Sequence, residues 1–212
     1  MKKNVFILLC MALTLGSCAG EFNKVYKSND IDYKYEYAKE AFASGKFQQA
    51  QTLLEELITA KKGSDEAQEC LYMLAMAQYC NRDYEAASVT FKKYGTSYPR
   101  GVYAENAAYY VGQALYESAP EPRLDQSPTI GAINAYQQFL DLYPDSKLRE
   151  NFSLLIMKSK FHLAENSSDE KRLDRYRDAE DECYGFLNEF PDSKDRTVAE
   201  RYITKCKKIT KD

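Results

Sequence analysis

Tryptophan is absent from the 212-residue sequence, histidine occurs once, at position 162, and there are only 9 glycines and 6 prolines. So few turn-forming residues exclude a turn-rich all-β protein and a disordered linker protein. A single histidine excludes His-dependent triads and His-rich metal sites. The net charge of −3 provides no basic field that would hold a nucleic-acid backbone. Because GxSxG, Walker and GxGxxG patterns are also missing, we expect neither an enzyme nor a nucleic-acid-binding protein.

The N-terminal 17 residues predict a cleaved signal peptide. Lys2 and Lys3 precede an apolar run over residues 5–15, which is about half as long as a membrane-spanning helix needs to be. The run ends in Leu15-Gly16-Ser17-Cys18, which resembles the lipobox of bacterial lipoproteins. The resemblance implies cleavage before Cys18 and a covalent lipid on its sulfur. The alternative is ordinary cleavage near Ala19-Gly20.

We therefore expect three segments: a signal peptide over 1–17, a lipidated polar tether over 18–31 and a folded domain over 32–212. Position 19 is alanine rather than the aspartate that often marks inner-membrane retention in lipoproteins. The expected location is accordingly the periplasmic side of the outer membrane, with the lipid inserted in its inner leaflet. Acyl chains hold a protein at a membrane without a spanning helix.

The cysteines that remain after cleavage give no metal or redox motif, because no CxxC pattern is present. Cys70 and Cys80 are ten residues apart on one predicted helix, about 15 Å, which is too far for a disulfide. Cys183 and Cys206 could pair, or all four could be buried as small apolar side chains. We expect no cofactor beyond the covalent lipid.

Two repeated patterns predict tetratricopeptide repeats. Residues 45–50 resemble residues 82–87 at an offset of 37, and three aromatic-proline pairs end successive units: Tyr98-Pro99, Tyr143-Pro144 and Phe190-Pro191. Pairs of helices with a period of this size form solenoids. We predict an all-α tetratricopeptide-repeat superhelix with four repeats, over about 32–63, 67–99, 104–144 and 148–191, and a capping helix over 195–209. The alternative is an irregular helical bundle.

Small residues are expected where the two helices of a repeat approach closely, at Ala38, Ala75 and Gly112 on the first helices. The loop over residues 118–128 contains three prolines and is predicted to be non-helical. Within this loop, Arg123 and Asp125 could contact a partner on a stiff, projecting surface. The alternative is that the two residues hold their own loop together.

Six aromatic residues recur on the predicted first helices of repeats one to three. One series repeats every 37 residues and the other lies seven residues further along: Tyr35, Tyr72 and Tyr109, then Phe42, Tyr79 and Tyr116. Seven residues span two helical turns, about 10 Å, so both rings of a helix project from one side. We call the two series the aromatic rails. They could line a groove for an extended peptide with aromatic side chains, or they could pack between repeats as core.

With the lipobox, the segments Tyr98-Pro99-Arg100-Gly101, Pro122–Ser127 and Phe190–Lys194 resemble the BamD family, tetratricopeptide lipoproteins of the β-barrel assembly machinery. The resemblance implies a scaffold without catalysis. In that family, N-terminal repeats receive the targeting segment of unfolded outer-membrane proteins. C-terminal repeats dock the barrel-forming core subunit.

One departure from the family affects docking. The family usually has five repeats, whereas four are predicted here, and the missing helix pair falls after Arg149, in the half that docks the core subunit. Groove binding should therefore survive, and the chain could also be a paralogue. Two other hypotheses remain: a tetratricopeptide lipoprotein for secretin or pilus assembly, and an envelope enzyme such as a glycan hydrolase. No carboxylate pair stands out for the second.

Overall fold

A computed structural model describes residues 20–119 and 125–211 of the chain. Over these residues the secondary structure is helical, with no strand. Following a helical segment over residues 20–26, the helices are α1 (Ile31–Ala43), α2 (Phe47–Ala60), α3 (Asp65–Cys80), α4 (Tyr84–Ser97), α5 (Ala104–Glu117), α6 (Ser127–Leu142), α7 (Arg149–Glu165), α8 (Asp169–Glu189) and α9 (Arg196–Thr210). The predicted all-α fold is confirmed. Along the chain, each of the four predicted repeats spans two successive helices, and α9 follows them.

The helices belong to two compact units that divide between Arg82 and Asp83. In the first unit, α1 packs on α2 and α2 on α3. In the second unit each helix from α4 to α9 packs on the next one along the chain. This order of neighbours is typical of repeat arrays, in which each element contacts the elements beside it in sequence.

Short polar turns determine where several helices begin and end. The Asp30 carboxylate accepts a hydrogen bond of 3.0 Å from the Tyr33 amide and thereby caps α1. Gly45, in the turn after α1, has φ +73°. Arg82 occupies the equivalent turn 37 residues later and has φ +64°, a left-handed conformation that is strained for any residue with a β-carbon.

The loop between α5 and α6, within the third repeat, is shorter than predicted, because α6 begins at Ser127 with Pro128 in its first turn. Proline is tolerated there because the first amides of a helix have no intrahelical acceptor. The prediction that residues 118–128 are wholly non-helical was therefore wrong at its C-terminal end.

The core of the first unit includes residues that were assigned to the tether. Residues 20–26 form a helical segment in which Val25 is fully buried and Phe22 packs against the core. The Phe22 and Tyr37 ring centroids are 6.3 Å apart. The structure thus differs from the predicted boundary at residue 32, because Phe22 and Val25 are spaced to present one apolar face.

The second unit contains two aromatic clusters. In the first, Phe152 stacks on Phe139 with ring centroids 3.8 Å apart, and the Tyr136 ring lies against Gly112. A β-carbon on Gly112 would lie 2.3 Å from Cε1 of Tyr136, so the predicted requirement for a small residue is confirmed. Ala38 and Ala75, predicted on the same argument in the first unit, are fully buried.

The second cluster is built by α7, α8 and α9. Phe161 stacks on Tyr202 with ring centroids 3.9 Å apart. Cys183 and Cys206 are buried in this cluster as free thiols, and Cys70 is a buried free thiol in the first unit, whereas the Cys80 thiol is free and exposed. Burial raises the pKa of Cys183 to about 12, as expected for a thiol surrounded by apolar side chains.

Candidate functional site

The aromatic rails lie on the helices from which they were predicted. Tyr35 and Phe42 are on α1, Tyr72 and Tyr79 on α3, and Tyr109 and Tyr116 on α5. The first four residues belong to the first unit and the last two to the second. Tyr35 is buried, whereas the other five rings are half-buried. A half-buried ring is fixed by packing and still offers part of its surface to a ligand.

Tyr35 lies in a polar cluster of the first unit. Its hydroxyl donates a hydrogen bond of 2.5 Å to the Glu69 carboxylate. The ammonium groups of Lys39 and Lys61 lie 4.4 and 4.8 Å from the ring centroid, within the range of cation–π contacts. Burial and the Glu69 carboxylate both raise the pKa of Tyr35 well above its usual value. The ring is therefore a neutral hydrogen-bond donor held in one place.

Carboxylates surround the lysines of this cluster. The Lys61 ammonium lies 2.8 Å from Asp32 and 3.9 Å from Glu66. On the same unit, Lys34 is buried and donates to both carboxylate oxygens of Glu56, at 2.6 and 2.7 Å. Such pairing satisfies a buried ammonium group, which would otherwise be strongly unfavourable.

Phe42 is in contact with its own repeat. Its ring meets Phe47 edge-on, with centroids 5.6 Å apart, across the turn between α1 and α2. The remaining two rings of the first unit, Tyr72 and Tyr79, are half-buried along α3. These three residues and Tyr35 form the part of the rails that lies within one unit.

In the second unit, Tyr109 packs edge-on against Phe152, with ring centroids 5.2 Å apart. It thereby takes part in the aromatic cluster of α5, α6 and α7. Tyr116 also packs against that cluster, and it borders a cavity of about 320 Å³ together with Thr129, His162 and Leu163. Leu163 occupies the position of the fourth repeat that corresponds to Tyr116, so the aromatic series ends beside this cavity.

Two residues of the proline-rich loop, Arg123 and Asp125, were predicted to contact a partner or to hold their own loop together. Arg123 lies outside the described residues. The Asp125 carboxylate accepts a hydrogen bond of 2.9 Å from the Ser127 amide, and the hydrogen bonding from Ser127 lowers the pKa of Asp125. This contact favours the interpretation in which Asp125 holds its own loop together.

Gln126 was not predicted, although it fastens the end of this loop to the fourth repeat. Its amide donates to the Asn166 carbonyl at 2.9 Å and to the Leu163 carbonyl at 3.4 Å. Its carbonyl accepts from the guanidinium of Arg175, which also donates to the hydroxyl of Ser167 at 2.7 Å. No sequence pattern pairs Gln126 with Arg175, because the two residues are 49 positions apart.

A second cavity, of about 620 Å³, lies between the ends of the third and fourth repeats. The sequence Pro-Asp-Ser-Lys occurs at 144–147 and again at 191–194, and the lysines of both copies, Lys147 and Lys194, line this cavity. Glu150, Asp192 and Asp195 also line it. The lining contains both charge signs and a few apolar side chains, so it indicates no single ligand class.

The predicted lipidation site, Cys18, lies outside the described residues. None of the helices in the described part of the chain is both long and apolar enough to cross a bilayer. Among residues 20–119 and 125–211, no three or more His, Cys, Asp or Glu side chains are arranged to hold a metal ion.

Comparison with solved structures shows the fold class. The chain is similar to the nearly identical TPR-like repeats of a Podosopora anserina kinesin light chain protein, known from a crystal structure. The TM-score is 0.50 at 13% sequence identity, with 85% of this chain and 86% of the other covered. At that identity the likeness shows a tetratricopeptide-type fold alone. No curated protein matches the chain.

Comparison with protein families covers most of the array. The profile of the YfiO family, described as outer membrane lipoprotein, matches residues 28–169. The match extends over 142 of the 212 residues, from just before α1 to the start of α8. It leaves out α9 and the Phe190–Lys194 motif, and that motif is one of those on which the resemblance noted from the sequence depended. The chain belongs to the YfiO family of outer membrane lipoproteins.

Proposed function

We propose that this protein is a BamD-like scaffold of the β-barrel assembly machinery, without catalytic activity, that receives unfolded outer-membrane proteins and helps their insertion. The observation that supports this proposal most directly is the family match over residues 28–169. The lipobox-like sequence before Cys18 agrees with it. A lipid on Cys18 would hold the array at the inner leaflet of the outer membrane, facing the periplasm.

The proposed substrate surface is the first-unit part of the aromatic rails. Phe42, Tyr72 and Tyr79 are half-buried, so binding would order few additional side-chain torsions. Tyr35 offers little surface of its own, being 7% exposed, but it links α1 to Glu69 on α3. An extended chain with aromatic side chains would bury ring faces here while its backbone stays solvated.

The experiment for partner identity is mass spectrometry of proteins that co-purify with the tagged chain from detergent-solubilised outer membranes. We expect stoichiometric recovery of the barrel-forming core subunit, although the chain has one repeat fewer than is usual in the BamD family. Recovery of a secretin or a pilus component in its place would contradict the proposal and would indicate a paralogue with another partner.

The experiment for the substrate surface is a Tyr72→Ala substitution. We expect about tenfold weaker binding of an extended, aromatic-rich peptide, because truncation of a central aromatic contact commonly costs more than 1 kcal/mol. Tyr33→Ala is the matched control, since Tyr33 is a 38% exposed tyrosine on α1 outside the rails. Equal binding by the two variants, with unchanged urea midpoints, would show that the rails do not bind peptide. Tyr109→Ala is unsuitable because Tyr109 packs on Phe152.

A further inference from the structure

The closing helix α9 is much more basic than the other described helices. It contains five basic residues and one acidic residue, a net charge of +4, whereas the net charges of α1 to α8 lie between −4 and +1. Lys211 follows directly after its end. Because the whole chain has a net charge of −3, this local excess does not reflect the overall composition.

Four of the five basic residues of α9 are exposed, whereas Lys207 is half-buried, with its ammonium 5.3 Å from the Tyr184 ring centroid. Ala199, Tyr202, Ile203 and Cys206 are buried against α7 and α8. The opposite side presents Arg201, Lys208 and Lys211, all exposed and spaced by three to seven residues. Such residues follow one face of a helix over about 15 Å. We call these three residues the basic stripe.

Ion pairs neutralise the edges of this face more than its centre. At the edges, Lys205 lies 3.1 Å from Glu165, and Arg196 lies 2.9 Å from Glu200. Lys208 and Lys211 make no ion pair with any described residue, and Arg201 contacts the ring of Tyr202. No carboxylate of the described residues therefore neutralises the stripe.

We propose that the basic stripe binds the anionic headgroups of a phospholipid surface. Next to its cations the exposed face of α9 contains Thr197, before Arg201, and Thr204, between Arg201 and Lys208; it contains no exposed aromatic or aliphatic side chain of this helix that could anchor in a protein pocket. Protein interfaces are depleted in lysine and depend on such anchors. A headgroup layer instead attracts mobile lysines through charge alone. A second contact besides the Cys18 lipid would limit the orientations of the anchored chain.

This inference rests on the proposed function in one respect: the lipid on Cys18 is what would bring α9 near a membrane. The test uses the full chain purified from membranes and mixed with vesicles of phosphatidylcholine alone or with added phosphatidylglycerol. Lysine acetylation by an amine reagent is followed residue by residue with mass spectrometry. The mass of the N-terminal peptide reports separately whether Cys18 is acylated, so a failure of anchoring is distinguished from a failure of the stripe.

We expect acetylation of Lys208 and Lys211 to slow severalfold on phosphatidylglycerol vesicles at low salt, and to recover at high salt, where charges are screened. Lys92 and Lys93, exposed on α4, are the control and should react equally on both vesicles. Equal slowing at all four lysines, or none at Lys208 and Lys211, would overturn the proposal.

Charge reversal provides the second measurement. In a Cys18→Ser background, we expect Arg201→Glu, Lys208→Glu and Lys211→Glu together to lower affinity for phosphatidylglycerol vesicles by on the order of a hundredfold, at roughly fivefold for each cation near the surface. The matched control reverses Lys92 and Lys93. If the triple variant binds vesicles normally but loses a co-purifying acidic protein, the occupant is that protein and the lipid proposal is wrong.

Discussion

Tyr35 in the first unit and Tyr109 in the second occupy the same position of their repeats, yet their surroundings differ. Tyr35 donates to Glu69 and lies between two ammonium groups. Tyr109 packs edge-on against Phe152 within an aromatic cluster. The same residue type at the same register thus serves a polar network in one unit and an apolar core in the other. Periodicity identifies the helix and the face, whereas the neighbouring side chains determine the role.

The substitution with the largest expected effect tests the apolar surroundings of Tyr109. Phe152→Ala removes a fully buried ring that contacts Phe139, Tyr136 and Tyr109. We expect the second unit to lose about 3–5 kcal/mol of stability, as is usual for such truncations. Urea unfolding followed by amide exchange would show the loss in the second unit. Exchange that increases equally in the first unit would show that the two units unfold together.

A smaller loss is expected at the close approach between α5 and α6. Gly112→Ala places a β-carbon against the Tyr136 ring and should destabilise the second unit by about 1–3 kcal/mol through overpacking. Gly131→Ala on α6 is the control, because its β-carbon would meet Leu115 at an ordinary 3.6 Å. That control should be neutral or should stabilise by up to about 1 kcal/mol through helix propensity. Equal urea midpoints for both variants would contradict the tight contact.

The polar side of the comparison is tested by Tyr35→Phe. We expect a loss of about 1 kcal/mol in the first unit, because Glu69 is half-buried and loses its donor. Folding raises the pKa of Tyr35 above its unfolded value of about 10. The stability that its neutral hydroxyl contributes is therefore complete below about pH 10 and is lost progressively as the pH rises above it. The variant should therefore show a shallower alkaline loss of stability than the parent. Identical pH profiles would mean that Tyr35 is not the responsible group.

The smallest expected effect concerns the two equivalent turns. Arg82→Gly should stabilise the chain by less than about 1 kcal/mol, because relief of the left-handed strain at φ +64° is partly offset by the greater freedom of glycine when unfolded. Gly45→Ala should destabilise, since Gly45 has φ +73° at the equivalent position. The order of the thermal midpoints checks both statements, and a less stable Arg82→Gly variant would contradict the first.

Much of the fold could be predicted from the sequence because repeated helix pairs produce a strong periodic pattern of residues. The expected capping helix at 195–209 is α9 at Arg196–Thr210, and the aromatic-proline closures coincide with the ends of α4, α6 and α8. The predicted tether was misjudged because two apolar residues, Phe22 and Val25, are too few to form a periodic pattern. Their burial depends on the surface that α1 presents to them.

Local patterns in the chain are sufficient to predict the helical class, the spacing of the repeats, the requirement for a small residue at Gly112 and the lipobox-like signal that ends at Cys18. These properties depend on local spacing and on the volume available at one position. Three contacts could not be predicted in this way: Tyr109 packs on Phe152, Tyr35 donates a hydrogen bond to Glu69, and Gln126 accepts one from Arg175. These contacts join residues that are 34 to 49 positions apart. Helix packing in three dimensions determines which residues meet, and a local sequence pattern contains no information about such distant partners.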